Sequence, residues 1–152
     1  MRQDEIVDEL GQLFDRNNVV DRRRKPSHGY RAVHVVPEFG DAAIELQVRT
    51  ELQHRWAELS EKLSDVFDHS IKCGGGRDDI RVPLLEASEE IANIEGLEPR
   101  IARLQASVST FPPEIRVELE NISRNVLESK TKAHEKLDDL YASIRQLGEG
   151  KL

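Results

Sequence analysis

The residues best suited to chemistry in this sequence lie on two short segments in which polar and apolar side chains alternate. In residues 44–50, Glu45, Gln47 and Arg49 alternate with apolar residues, which is the period of a strand with one wet face. In residues 29–35, Tyr30 and His34 lie opposite a pair of valines. A phenol, an imidazole, a carboxylate, an amide and a guanidinium form a more varied set than an ordinary solvent-facing strand carries. The pattern therefore predicts a ligand-binding surface.

A loop rich in turn residues, Pro37–Asp41, separates these two segments, so we expect them to pair as a two-stranded ribbon. A further strand is expected to start at Val19-Val20. The polar face of the ribbon would also carry Ala32, and its apolar face would carry Val33, Val35, Ile44, Leu46 and Val48.

The chemistry open to this surface is that of a nucleotide whose hydroxyl is activated. A basic run, Arg22–Lys25, precedes the ribbon and could hold polyphosphate oxygens, although an isolated charged run is more often a solvated loop. Tyr30 could stack on a flat base or simply cover the edge of the core. Glu45 could hold a magnesium ion or take a proton from a hydroxyl, but spacing alone favours a cross-strand salt bridge with an arginine.

Composition limits the class of protein. The 152 residues are enough for one domain, or for one domain plus a helical extension, and the net charge of −7 argues against a general nucleic-acid binder. With 38% apolar, 34% charged and 5% aromatic residues, a small core and long solvated helices are expected. A single cysteine, Cys73, cannot form an intramolecular disulfide. No membrane-spanning run or signal peptide is found, so we predict a cytoplasmic protein that does not bind membranes.

Helical periodicity accounts for most of the remaining chain. It predicts an amphipathic helix over residues 3–15 and another over about 51–68, with Thr50 as N-cap and Gln53 completing a capping box. The predicted fold class is α+β, a small and mostly antiparallel sheet of about three strands packed with helices, followed by a long C-terminal helical hairpin.

The second half of the chain is predicted to be separate from the first. We expect residues 1–72 to form one unit, residues 73–79 a glycine-rich linker, and residues 80–152 a helical hairpin. Within the hairpin we expect a kink or restart near Glu98, because Pro99 lies inside the run, and a turn at Phe111–Pro113. The apolar spacing of the second helix is heptad-like and is broken only near Ser129-Lys130. Its apolar stripe is wider than the ribbon can cover, which favours a packing element that also makes a homo-oligomer.

Residues 25–63 also resemble the second half of the RelA/SpoT-type synthetase domain, the family that includes the small alarmone synthetases. The motifs that carry the resemblance are Gly29-Tyr30-Arg31, His34, the run from Glu45 to Thr50, His54 and Trp56-Ala57-Glu58. The match extends from Val19 to Phe67. The resemblance implies a GTP diphosphokinase activity, in which the pyrophosphate of ATP passes to the 3′-hydroxyl of GTP or GDP and makes (p)ppGpp, the signal of the stringent response.

The resemblance also implies roles for single residues. Tyr30 would stack on the guanine of the acceptor, and Glu45 would lie near a magnesium ion and the acceptor hydroxyl as the general base. The other residues that the resemblance assigns to the acceptor nucleotide are Arg24, Lys25, Arg31, His34, Gln47, His54 and Glu58. Ser27-His28 departs from the asparagine often found before the glycine in the family.

The donor-site motifs of the family are not found in this sequence. The family binds ATP through a basic segment of spaced arginine, lysine and serine, and through a strand of the type Arg-Asp-Leu-x-Gly-x-Arg whose aspartate binds magnesium. We therefore expect the sequence to begin partway through the domain, without an ATP site, and to be inactive or nearly so alone. An uncovered sheet edge would then favour oligomerisation or poor solubility.

Two function hypotheses follow. In the first, the chain is a RelA/SpoT-like synthetase family member that supplies the acceptor half of the site. In the second, it is a non-catalytic regulator of a complete alarmone synthetase, acting through guanine-nucleotide binding or through oligomerisation. A metal hydrolase built on His28, His34 and Glu45 fits no zinc-binding spacing. The sequence leaves the choice between GDP and GTP open.

Overall fold

A computed structural model of the chain describes the backbone of residues 2–149 and the side chains of residues 2–142 and 144. Within these residues the fold is α+β, as predicted. Met1 and the last three residues of the predicted segment 80–152 lie outside the described part. The helices are α1 (Gln3–Phe14), α2 (Glu51–Val66), α3 (Asp78–Ala106) and α4 (Pro113–Glu149), and the strands are β1 (Val19–Asp21), β2 (Val33–Val35), β3 (Glu38–Phe39), β4 (Ala42–Ala43) and β5 (Leu46–Val48).

The main sheet has three antiparallel strands in the order β1-β2-β5. The predicted ribbon is its β2–β5 pair, in which Val33 lies opposite Val48 and His34 lies opposite Gln47. Val33 and Val35 are fully buried and Val48 is nearly so, while Gln47 is exposed. The alternation predicted for these two strands is therefore confirmed, and it places His34 and Gln47 side by side on the polar face.

The connection between β2 and β5 is itself a small hairpin of β3 and β4. Two residues beside the main strands differ from the expected alternation, since Ala32 is fully buried and Ile44 is half exposed. Both lie outside the strands, and the backbone nitrogen of Ile44 donates to the carbonyl oxygen of Pro37 at 3.1 Å. Because the alternation of faces holds only within a paired strand, it does not extend to these positions.

Helix α2 begins at the capping box that the sequence predicts. Thr50 Oγ1 accepts a hydrogen bond from the backbone nitrogen of Gln53 at 3.2 Å, and Gln53 Oε1 accepts one from the backbone nitrogen of Thr50 at 3.2 Å. Satisfying two otherwise unpaired amide groups fixes the first turn of the helix directly after β5. The apolar stripe of the helix is buried at Leu52, Trp56, Leu59 and Leu63.

The long helices pack with α2 into a three-helix bundle. Glu98 pairs with Lys130 at 2.6 Å and Gln105 donates to Ser123 at 3.0 Å, so α3 and α4 run antiparallel as the predicted hairpin. The buried core joins Trp56 of α2 to residues of both other helices. The predicted segments 1–72 and 80–152 thus share one hydrophobic core.

Helix α3 is continuous where the sequence predicts a kink or restart. It passes through Pro83 and Pro99 without a restart, and α4 continues through Ser129 and Lys130, where the heptad-like spacing is broken. The missing amide of Pro99 removes one helical hydrogen bond, and packing of the surrounding turns offsets that loss. Helix α3 also begins at Asp78, inside the predicted linker.

Part of the predicted apolar stripe stays uncovered. The residues Leu97, Leu104, Ile115 and Ile122, on the half of the hairpin that extends beyond α2, are each exposed by about 40% or more. No helix within residues 2–149 has a stretch that is both long and apolar enough to cross a bilayer. Oligomerisation through these helices stays a prediction.

Candidate functional site

Five polar side chains meet on the wet face of the β2–β5 pair, and we call them the Tyr30 cluster: Tyr30, His34, Glu45, Gln47 and Arg49. The Tyr30 hydroxyl lies 3.1 Å from His34 Nε2 and 3.2 Å from Gln47 Oε1, and it accepts a hydrogen bond from Arg49 Nη2 at 3.0 Å. Glu45 pairs with His34 Nδ1, and Arg49 also donates to Gln47. The four predicted residues of this face are therefore joined to one another and to an arginine.

A tight turn brings Tyr30 to this face. Residues 27–30 close through a bridge between Ser27 and Tyr30, and Gly29 has a φ of +89°. A Cβ atom at Gly29 would lie 2.7 Å from Cζ2 of Trp56, so only glycine fits both the backbone conformation and the contact. The indole of Trp56 is fixed in turn by a 2.8 Å hydrogen bond from its Nε1 to the carbonyl oxygen of Leu84.

Helix α3 holds the same turn from the other side. The buried Ser88 donates to the Gly29 carbonyl oxygen at 2.5 Å and accepts from Arg31 Nε at 2.9 Å. Arg31 also donates to the carbonyl oxygen of Arg23. The guanidinium of Arg31 is thus directed to α3 and the β1 connection, whereas its neighbour Tyr30 faces the cluster.

The ring of Tyr30 is held by two other groups. The guanidinium carbon of Arg49 lies 5.1 Å from the ring centroid, a cation–π distance, and the imidazole of His34 meets the ring edge-to-face at 5.6 Å. Arg49 Nε is buried and has no hydrogen-bond partner within the described chain. An unpaired buried donor of this kind costs free energy unless a ligand or water satisfies it.

A cavity of about 700 Å³ adjoins the cluster through Arg49, which lines it. It lies between the start of α1, the end of β5 and the middle of α3. Its walls are rich in both charges: the cations are Arg2, Arg23, Arg24, Arg31, Arg49 and Lys130, and the acids are Asp4, Asp21, Glu51, Glu95 and Glu98.

Two of the cavity cations are neutralised by partners. Arg23 pairs with Asp21 at 2.7 Å and with Asp4 at 2.5 Å, and the hydrogen bond from Arg23 holds the pKa of Asp21 below its usual value. Lys130 pairs with Glu98 at 2.6 Å. Arg24, Arg31 and Arg49 make no salt bridge within the described residues, which leaves their charge available to an anion.

One acid of the cavity is held in an unusual environment. Glu95 accepts hydrogen bonds from Thr50 Oγ1 and, at 2.6 Å, from Gln53 Nε2. Burial raises the pKa of the Glu95 carboxyl, and these two hydrogen bonds oppose the rise. Glu98 nearby raises the pKa further and Lys130 lowers it.

The remaining predicted residues lie outside the cluster. Arg24 lines the cavity, whereas Lys25 is exposed and is not part of its wall. His54 and Glu58 are exposed one turn apart on α2, with His54 Nε2 3.6 Å from Glu58 Oε1. Within the described chain no hydrogen bond or ion pair joins either residue to the Tyr30 cluster.

Sequence reasoning left three contributors out of the predicted site: Arg49, Ser88 and Glu95. The alternation in residues 45–49 already placed Arg49 on the polar face, so this pattern could have identified it as a site residue. Ser88 is 57 and 59 residues from the groups that it bonds, and Glu95 is at least 42 residues from its own. No local pattern connects residues at such separations.

The described residues contain no group of three or more His, Cys, Asp or Glu side chains placed to hold a metal ion, so His28, His34 and Glu45 do not form such a group. Glu45 is the single carboxylate of the cluster and is paired with His34. Mg²⁺ is commonly bound by one or two carboxylates together with phosphate oxygens, so a magnesium ion at Glu45 stays a prediction.

Comparison with known proteins gives only distant guidance. No family model matches the chain, and no solved structure matches it. The chain is 40% identical over 68 residues to the uncharacterized protein Mb1401 of Mycobacterium bovis and to the uncharacterized protein Rv1366 of Mycobacterium tuberculosis. The match covers 45% of this chain and spans about a quarter, 24%, of each relative.

Proposed function

We propose that this chain binds a guanine nucleotide, GDP or GTP, as the acceptor side of a (p)ppGpp synthetase site. The nucleotide base stacks on the Tyr30 ring, and its phosphates enter the neighbouring cavity. Two features support the proposal. The order of motifs from Gly29 to Glu58 resembles the RelA/SpoT-type synthetase domain, and the side chains of the described site suit a nucleotide.

The observation that carries the proposal is that Arg49 contacts both Tyr30 and the charged cavity. Its guanidinium contacts the ring and hydroxyl of Tyr30, and the same side chain lines the cavity that Arg24 and Arg31 also line. A nucleotide presents a flat base and an anionic tail on one molecule, so it needs a stacking ring and free guanidinium groups side by side. The unpaired Arg49 Nε would gain a hydrogen-bond acceptor when phosphate or ribose enters.

Transfer chemistry is expected to need more than this polypeptide. The 152 residues carry neither donor-site motif of the family, and Glu45 has no second carboxylate beside it within the described residues. Phosphoryl-type transfer depends mainly on positioning and charge stabilisation of the donor. Any magnesium ion would coordinate Glu45 only with help from nucleotide phosphates, and the proposal assigns it no step. We therefore propose binding without ATP-dependent transfer for the chain alone.

Calorimetric titration tests the binding. GDP and GTP are titrated into the purified chain with ATP as the control nucleotide, and again into Tyr30→Ala. Loss of the stacking ring should weaken guanine-nucleotide binding about tenfold or more, since stacking on an aromatic ring is worth roughly 1–3 kcal/mol per base. Phe39→Ala is the matched control, because Phe39 is an exposed ring that packs edge-to-face on Phe14, away from the cluster.

The outcomes of that titration separate the two hypotheses. Equal binding of ATP and GDP, or unchanged GDP binding by Tyr30→Ala, would contradict the proposed acceptor site. Transfer of pyrophosphate from ATP by the purified chain, lost in Glu45→Ala, would contradict the proposed lack of activity. It would support instead the hypothesis that the chain is an active synthetase.

The alternative function, an oligomerising regulator of a complete synthetase, is favoured by a different surface. An apolar cavity of about 420 Å³ lies between α2, α3 and α4 and is lined by Leu59, Leu63, Phe67, Ile80 and Leu140 among others. Together with the exposed apolar residues of α3 and α4 it could accept a helix of a second chain. Light scattering of the purified chain that gives a monomer at high concentration would contradict the self-association form of this alternative.

A further inference from the structure

The polar contacts of the Tyr30 cluster form a directed chain from Tyr30 through His34 to Glu45. A carboxylate only accepts hydrogen bonds, so the ring nitrogen that faces Glu45, Nδ1 of His34, carries the hydrogen. In a neutral imidazole the other nitrogen is then an acceptor, and Nε2 lies 3.1 Å from the Tyr30 hydroxyl. The single phenolic proton has two acceptors within reach, His34 Nε2 at 3.1 Å and Gln47 Oε1 at 3.2 Å, and Arg49 already donates to the Gln47 oxygen. When the phenol donates to the nearer Nε2, the imidazole donates to Glu45.

We propose that Tyr30, His34 and Glu45 form a proton relay that accepts the proton of a ribose hydroxyl, with His34 and not Glu45 as the final base. The inference rests on the proposed binding of GDP or GTP and names the proton path of that same site. It changes the role of Glu45 from that of a direct base, which the resemblance implies, to that of a positioning residue that fixes the tautomer of His34.

The geometry favours the relay because Glu45 Oε1 is already occupied by His34. The side chain of His34 is only 17% exposed and its Nε2 already faces the Tyr30 hydroxyl, so a ligand hydroxyl that approaches Nε2 competes with Tyr30. On β1 the residue opposite His34 is Val20, so that strand places no second charge beside the imidazole. The charged groups that face the relay are Glu45 at one end and Arg49 at the other.

Each bond that breaks in the relay is matched by a bond that forms. The O–H bond of the ribose hydroxyl breaks and an O–H bond to the Tyr30 oxygen forms, while the original phenolic proton passes to Nε2 of His34. The ligand oxygen is left as an alkoxide, and His34 becomes an imidazolium beside the Glu45 carboxylate. Arg49, which donates to the Tyr30 oxygen at 3.0 Å, supplies the positive charge nearest the alkoxide.

Nitrogen-15 NMR of the histidine rings tests this arrangement without any need for turnover. In the free protein, His34 should show the Nδ1–H tautomer, and Glu45→Gln should remove that tautomer preference because an amide can donate as well as accept. Tyr30→Phe should shift the Nε2 resonance of His34, since the hydrogen bond that it accepts is lost. His69 is an exposed histidine of the loop after α2, so His69→Asn is the control that should leave the His34 signals unchanged.

A pair of nucleotides then tests the path from ligand to base. GDP should shift the His34 Nε2 resonance, and 2′,3′-dideoxy-GDP, which lacks both ribose hydroxyls, should bind through the base and phosphates without that shift. In Tyr30→Phe the GDP-induced shift should be lost, while GDP still binds with an affinity reduced by less than tenfold.

The possible failures are distinguishable. An Nε2–H tautomer of His34 in the free protein would overturn the relay whatever nucleotide binds. The same GDP-induced shift in Tyr30→Phe as in the wild type would also overturn it, since the hydroxyl would then reach His34 directly. Absence of binding by both nucleotides would instead overturn the proposed function, and with it the ligand end of the relay, even where the tautomer is as expected.

Discussion

The hydroxyl of Ser88, in the middle of α3, donates a 2.5 Å hydrogen bond to the carbonyl oxygen of Gly29, in the turn that carries Tyr30. The Ser88 hydroxyl oxygen in turn accepts a hydrogen bond from Arg31 Nε at 2.9 Å. Ser88 is 2% exposed, so neither partner can exchange this contact for bulk water. A helix of the second half of the chain thereby positions the turn that brings Tyr30 to the polar face of the first half.

Replacing Ser88 with alanine should loosen that turn. The Gly29 carbonyl and Arg31 Nε would both lose a buried partner, and a lost partner of this kind costs about 1–3 kcal/mol. Urea unfolding of Ser88→Ala should show this decrease in the free energy of unfolding, and the affinity for GDP should fall with it. Thr131→Ala is the control, since the exposed Thr131 hydroxyl donates within α4 to the Leu127 carbonyl oxygen. Equal decreases in the two variants would argue against the role of Ser88.

Gly29→Ala should be more damaging than Gly40→Ala, although both glycines have positive φ. At Gly40 nothing lies within 4 Å of a new Cβ atom, so the cost is the backbone strain alone, about 1–2 kcal/mol. At Gly29 the Cβ atom would also be 2.7 Å from the fixed indole of Trp56, and overpacking of this kind adds about 1–3 kcal/mol. Thermal unfolding of the two variants measures the difference, and equal melting temperatures would contradict the close contact with Trp56.

Glu95 should make the stability of the protein depend on pH. Burial, opposed by the hydrogen bonds from Thr50 and Gln53, raises the pKa of Glu95 above its ordinary value of 4.5, so the folded state binds this proton more tightly than the unfolded state does. Stability contributed by the neutral carboxyl is therefore present at low pH and is lost as the pH rises from about 4.5 through the raised pKa.

The measurement compares the wild type with Glu95→Gln in urea between pH 4 and pH 8. The free energy of unfolding of the wild type, relative to the variant, should decrease with rising pH and then become constant. A difference between the two proteins that does not change across this range would show that the carboxyl of Glu95 has its ordinary pKa.

Arg24 and Lys25 are adjacent cations that should differ in their effect on nucleotide binding. Arg24 lines the cavity and makes no salt bridge within the described residues, whereas Lys25 is exposed outside the cavity wall. Arg24→Ala should lower the affinity for GDP about tenfold. The lost charge-assisted hydrogen bond is worth about 1.5–3 kcal/mol, and water replaces part of it in the variant. Lys25→Ala should change it less than twofold, and calorimetry at low and high salt checks both. Equal losses would place the phosphates outside the cavity.

Much of the fold could be predicted from short-range patterns. The alternation around His34 and Gln47 placed them on one face of paired strands, and the Thr50–Gln53 capping box placed the start of α2. These elements were predictable because each is determined by contacts between near neighbours or by a strict period of two. Of the kink or restart predicted near Glu98, the restart is wrong, since packing between helices outweighs the loss of one helical hydrogen bond at Pro99.

The sequence by itself determined which residues share the wet face, since a strand period and a turn suffice to place Tyr30, His34, Glu45 and Gln47 together. Only the tertiary structure decided that Arg49 joins this face to a charged cavity, and that Ser88 and Glu95 of α3 support it. The physical reason is sequence separation. A hydrogen bond between residues 40 to 60 positions apart leaves no periodic trace, and it forms only when the hydrophobic core shared by α2, α3 and α4 brings α3 against the sheet.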